Sequence, residues 1–136
     1  MSLAVSVGFE PQPGFAVPDV RDRLAAAVRA FFSPLPLVPP DPTHPGGWPL
    51  EKPVNARELL SVASRARGVR LITGVEIAAA GPPADEIPVR GLQLPRVDHL
   101  SVAVGRPVPV ASLRGQSAAG SGGPRPLPVP VVPREC

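Results

Sequence analysis

The chain has 136 residues, among them 22 Pro and 13 Gly, with an apolar share of 43%, an aromatic share of 4% and a formal net charge of +3. That length holds one small domain, and the Pro-rich stretches reduce its packable part to roughly 90 residues. The charge excess is too small to imply a nucleic-acid partner. With no 18-residue apolar run and no basic leader, the expected location is the cytoplasm, without secretion or membrane insertion.

The segment from Leu3 to Glu10 alternates Leu3, Val5, Val7 and Phe9 with Ala4, Ser6, Gly8 and Glu10, the period of a half-buried strand. The Pro-Gln-Pro-Gly stretch stops it. Pro18 then opens a helix over about 18–32, with Asp19 and Asp22 at its positive end and Val20, Leu24, Ala27, Val28 and Phe31 along one stripe. Pro34 ends it.

Residues 34–53 form an irregular Pro-rich connection, longer than compact domains usually carry without a function for it. It holds the sole Trp, Trp48, between a Gly pair and Pro49. A second, short helix is expected over about 56–66. Asn55 and Glu58 have the spacing of a capping box, Val54 and Leu59 flank it as a hydrophobic staple, and Gly68 fits the left-handed position after it.

A long strand follows, with Val69, Leu71, Thr73, Val75 and Ile77 on one face and a bulge at Gly74. Val89–Leu94 and Leu100–Val104 read as two further short strands split by Pro95. Beyond Gly105 the pattern passes through a Pro-interrupted edge into a Gly/Ser-rich linker and a Pro-rich tail, expected to be extended. Two units result: a domain over 1–110, and a linker with tail over 111–136. The expected class is α+β, with two helices on one face of a small mixed sheet of about three to four strands in a ferredoxin-like arrangement.

The chemistry-bearing residues do not converge. His44 with Asp41 and His99 with Asp98 lack the spacing of a preorganised ligand set, and Ser101 beside His99 has no nucleophile elbow or third partner. The Gly-Ser-Gly-Gly at 120–123 lacks the Lys and following helix of a phosphate loop. Sheet aromatics for base stacking are missing apart from Phe9. Cys136 is the single cysteine and the last residue, which excludes an intrachain disulfide and a thiolate metal cluster built from this chain. No catalytic, metal or cofactor site is therefore expected, and no small-molecule substrate.

The ordered motifs Phe31-x-Ser-Pro-Leu35, Gly46-Gly-Trp-Pro-Leu50, Pro53-Val-x-x-x-Glu58-Leu-Leu60 and the ending Val-Pro-Val-Val-Pro-Arg-Glu-Cys carry a resemblance. The chain resembles the C-terminal domain of the baseplate J-like assembly proteins of contractile phage tails and contractile injection systems, over most of residues 2–110. The resemblance implies a bacterial, wedge-type structural component without a catalytic site, whose partners are other baseplate subunits. In that family the domain closes a much longer chain, whereas Met1 here directly precedes the first strand. That departure leaves open a truncated reading frame or a companion chain.

The residues expected to serve structure or interface are Phe31, Phe32, Trp48, Pro49, Asn55, Glu58, Leu59, Gly68 and, in the tail, Pro128, Pro130 and Pro133. Trp48 is expected to pack near Phe31 or Phe32 and anchor the loop, whose outer edge, like the tail, would then meet a neighbour. The alternative is a stand-alone ligand-binding or regulatory module with Trp48 as a pocket wall.

Overall fold

The computed structural model describes residues 1–38 and 44–113. The expected linker and tail, with Pro128, Pro130, Pro133 and Cys136, lie outside the described residues, as does Asp41. In chain order the elements are β1 (Ser2–Pro11), α1 (Val17–Phe31), β2 (Val54–Asn55), α2 (Ala56–Ser64), β3 (Val69–Ala78), β4 (Glu86–Ile87) and β5 (Arg96–Val104).

The main sheet has the order β3-β1-β5. β1 pairs antiparallel with β3 and parallel with β5, while β2 and β4 form a separate two-stranded ladder. This is the small α+β architecture with a mixed sheet. Its chain order and its parallel β1–β5 pair depart from the β-α-β-β-α-β order of a ferredoxin-like sheet.

Both helices lie on one face. Leu3, Val5, Val7 and Phe9 of β1 share a buried cluster with Val20, Leu24, Val28 and Phe31 of α1 and with Leu59 and Ala63 of α2. The alternation of β1 and the 3.6-residue stripe of α1 thus bury each other. Asn55 caps α2, its Oδ1 accepting from the backbone N–H of Arg57 at 2.9 Å and of Glu58 at 3.3 Å. The reciprocal half of the capping box does not form. Asn55 is held in the β2–β4 ladder, and the Glu58 carboxylate turns to Lys52 at 3.0 Å.

The opposite face of the sheet is also covered. Register places Ala4, Ser6 and Gly8 beside Ala78, Glu76 and Gly74 on one side and beside His99, Ser101 and Ala103 on the other. After β5 the chain turns back across this surface as a strap. Gly105 N–H donates to Phe9 O at 2.9 Å, Thr73 Oγ1 donates to Gly105 O at 2.5 Å, and Val110 N–H donates to Glu76 Oε1 at 3.2 Å. Val110 is fully buried with Ala4 and Ala78. Gly8 makes this approach feasible, since a Cβ there would lie 2.3 Å from Gly105 O. β1 is therefore buried on both faces, not half-buried as its alternation suggests.

Two expectations about strands are corrected. Thr73 is skipped in the β1–β3 ladder, where Gly8 pairs with Gly74 and Phe9 with Ile72. That bulge inverts the side-chain parity, so Ile72 packs against the core, while Thr73 binds the strap and Leu71 is exposed. Residues 89–94 are not a strand: they fold into a turn closed by Gln93 N–H to Arg90 O at 3.1 Å with Gly91 at φ 59°. Pro88 and Pro95 bracket that turn and deny it ladder donors.

Candidate functional site

The loop after α1 is held from inside by an aromatic box. Trp48 stands edge-on to Phe31 at 5.3 Å between ring centroids and stacks on Phe32 at 5.3 Å, and the two Phe rings meet edge to face at 5.0 Å. His44 completes the box, 4.6 Å from the Trp48 ring and 4.9 Å from Phe31. Its Nδ1 donates to Phe31 O at 3.2 Å. His44 thus packs inside the loop, a role the sequence reading missed; its four-residue spacing before Trp48 was the available signal.

Backbone hydrogen bonds fix the return of the chain. Trp48 N–H donates to Ser33 O at 2.8 Å, and Gly47 N–H donates to His44 O at 2.9 Å. Gly47 has φ 90°, and a Cβ on it would sit 2.5 Å from Pro34 O, so the crossing of the two strands of the loop requires glycine. Trp48 Nε1 donates to Lys52 O at 3.2 Å, and the Lys52 ammonium lies 5.7 Å from the Trp48 ring centroid while pairing with Glu58. The box is thereby tied to the capped start of α2.

The box faces inward, and the segments around it expose several large apolar side chains. Trp48, Phe31, Phe32 and Leu59 are buried, whereas Leu35, Val38 and Leu50 are 69%, 99% and 58% exposed and Pro49 is exposed beside them. Gly68, at φ 91°, lies against Phe15 and Val20 at the other end of the domain. The candidates named from sequence are therefore not one site: Phe31, Phe32 and Trp48 converge, Asn55, Glu58 and Leu59 support them through α2, and Gly68 stands apart.

Beside the box runs a groove of about 780 Å³ between α1 and the start of β5, lined mainly by Ala26, Ala30, Phe32, Leu37, Leu94 and Val97. Arg29 and Arg96 also border it. Trp48 does not line it; Phe32, which Trp48 stacks on, does. On β5, two hydrogen bonds from Arg96, at 2.7 and 3.0 Å, hold the Asp98 carboxyl well below the usual carboxylate range, with a further hydrogen bond from Ser2 acting in the same direction.

His99 and Ser101 lie two residues apart on the strap side of the sheet, in register with Ala4 and Ser6. The Ser6 hydroxyl is fully buried and has no hydrogen-bond partner among the described residues. Among the described residues no group of three or more His, Cys, Asp or Glu side chains is arranged to hold a metal ion, and no helix is long and apolar enough to cross a membrane. No protein-family model matches the chain, and no curated protein matches it. What the described residues bring together is an aromatic box inside the loop and an apolar groove beside it.

Proposed function

We propose that the chain is a structural component of the baseplate of a contractile phage tail or contractile injection system, acting through contacts with neighbouring subunits. The observation that carries this reading is the clamped loop. Its inner side is locked by Phe31, Phe32, His44 and Trp48, and its outer side presents Leu35, Val38 and Leu50. A surface fixed in advance loses little conformational entropy on docking, which is what a subunit in a repeating assembly requires. The motifs that carry the resemblance, Phe31-x-Ser-Pro-Leu35 and Gly46-Gly-Trp-Pro-Leu50, are the segments that build this clamp.

The test is composition of the particle. Tail-like particles purified from the source organism are expected to contain this chain in fixed proportion to sheath and tube proteins by mass spectrometry. The paired variant Leu35→Asp, Leu50→Asp is expected to fold and yet be left out of the particle. Particles that lack the chain overturn the proposal.

The groove favours a second reading, a small-molecule binding module, because its volume and apolar lining match an ordinary ligand pocket. Trp48 emission separates the two, since Trp48 stacks on the groove residue Phe32. A spectral change on adding a small molecule, with none on adding baseplate partners, supports the module.

A further inference from the structure

The two outer edges of the main sheet are built differently. The outer strand β3 is broken by the bulge at Thr73 and bridged near its far end, where Ile77 pairs with Ala84. β5 carries its irregularity early, at Asp98, which no residue of β1 faces; from His99 to Val104 it then matches Ala4 to Phe9 residue for residue. Among the described residues β5 pairs only with β1, and it contains neither proline nor lysine, the residues that commonly block a sheet edge. Its charges do not guard it either, because Arg96 and Asp98 neutralise each other through hydrogen bonds of 2.7 and 3.0 Å.

One bond fixes where the free backbone groups point. Gly105 N–H donates to Phe9 O at 2.9 Å, so Gly105 turns toward β1, and with it, by alternation, Ala103, Ser101 and His99. Leu100, Val102 and Val104 therefore direct both N–H and C=O to the open edge. Their side chains fall on the helix side of the sheet, where Leu100 and Val102 are only partly buried against the core and Val104 is 48% exposed.

Turned about a two-fold axis at Ser101, this stretch is complementary to itself. Antiparallel pairing sets Leu100 opposite Val102 of a second copy and Val102 opposite its Leu100, and each such pair exchanges both of its N–H to O hydrogen bonds. Leu100 and Val102 then cover one another on the helix side. On the strap side the small Ser101 meets its own counterpart and His99 meets Ala103, so no like charges face each other. We propose that the His99–Val104 edge of β5 binds the same edge of a second copy, joining two β3-β1-β5 sheets edge to edge. The contact does not use Leu35, Val38 or Leu50, so it stands or falls apart from the docking of the loop in a baseplate.

A contact this short buries less than the roughly 1,200 Å² of a standard interface, so association is expected in the micromolar range. Sedimentation of the full-length chain is expected to show monomer and dimer in equilibrium between about 2 and 200 μM, with the amides of Leu100, Val102 and Val104 exchanging at least tenfold more slowly at the upper end. Val102→Pro removes an outward donor without touching the β1 ladder and is expected to leave a folded monomer. Ser101→Lys and Ser101→Glu each set like charges across the axis and are expected to be monomers alone, whereas an equimolar mixture of the two is expected to dimerise. A chain that stays monomeric throughout the range overturns the proposal, as does a dimer that survives Val102→Pro or a mixture that fails to associate. Protection of these amides in the monomer also overturns it, because the cover then comes from within the chain.

Discussion

The two faces of the central sheet solve the same burial problem in opposite ways. On one, Leu3, Val5, Val7 and Phe9 project large side chains into the space beneath two helices; on the other, Ala4, Ser6 and Gly8 project almost nothing, and the backbone of residues 105–110 comes into contact. The first face gains stability from volume, through dispersion contacts and apolar area removed from water. The second gains it from closeness, because the strap can exclude water from a sheet of small residues only if nothing holds its backbone away. A strand with alternating large and small residues is therefore not necessarily half-exposed: its small side can be the seat of another segment.

The difference predicts graded responses. Phe9→Ala leaves a cavity under the helices and is expected to destabilise the domain by about 3–5 kcal/mol, read from the chemical-denaturation midpoint. Trp48→Ala opens the loop end of the same face and is expected to cost roughly 3 kcal/mol, because it removes the ring contacts with Phe31, Phe32 and His44. In that variant the 44–53 amides should lose exchange protection before the sheet does.

On the strap face the sign of the change reverses, since adding atoms is what harms. Gly8→Ala places a methyl group against Gly105 O and is expected to cost about 1–3 kcal/mol, the range for an overpacked site. Exchange should rise across 105–113 while the helices stay protected. If Gly8→Ala instead loosens α1 first, the two faces are not independent.

The smallest effect lies at the edge. The folded-state pKa of Asp98 is depressed by Arg96, so its contribution is present above the unfolded value of about 3.9 and is lost as pH falls through the lower folded value. The stability difference between the wild type and Asp98→Asn should therefore shrink steadily below about pH 4. Exposure of the pair keeps that difference small throughout.

Much of the large-residue face was legible from local pattern. The alternation of Leu3 to Phe9, the stripe from Val20 to Phe31 and the capping asparagine each declare themselves within one element, and the observed α1 and α2 lie within one or two residues of their expected ends. The placement of Trp48 followed from the Gly pair before it, from Pro49 and Pro53, and from the capped helix start at Asn55 that fixes where the loop lands. The small-residue face was not legible, because whether Ala4 and Gly8 meet water or a strap depends on where residue 105 arrives. The bulge at Thr73 was expected one residue later, at Gly74, because its position is set by the β1 partner as much as by the glycine. Residues 89–94 looked like a strand because Val89, Leu92 and Leu94 are aliphatic, yet only the ladder could reveal that no partner edge awaited them.

The parallel pairing of β1 with β5 also shapes how the chain reaches its fold. Val5 lies opposite Leu100, and its other neighbour, Ile77, is distant in sequence as well. The central strand thus precedes both of its partners in the chain and acquires them only after most of the domain has been made. Closing such long segments costs entropy before any contact returns it, so folding should be slow for a domain of this size. During that interval β1 is an apolar strand with both edges bare, and a chaperone or a neighbouring nascent copy has its longest opportunity to bind it.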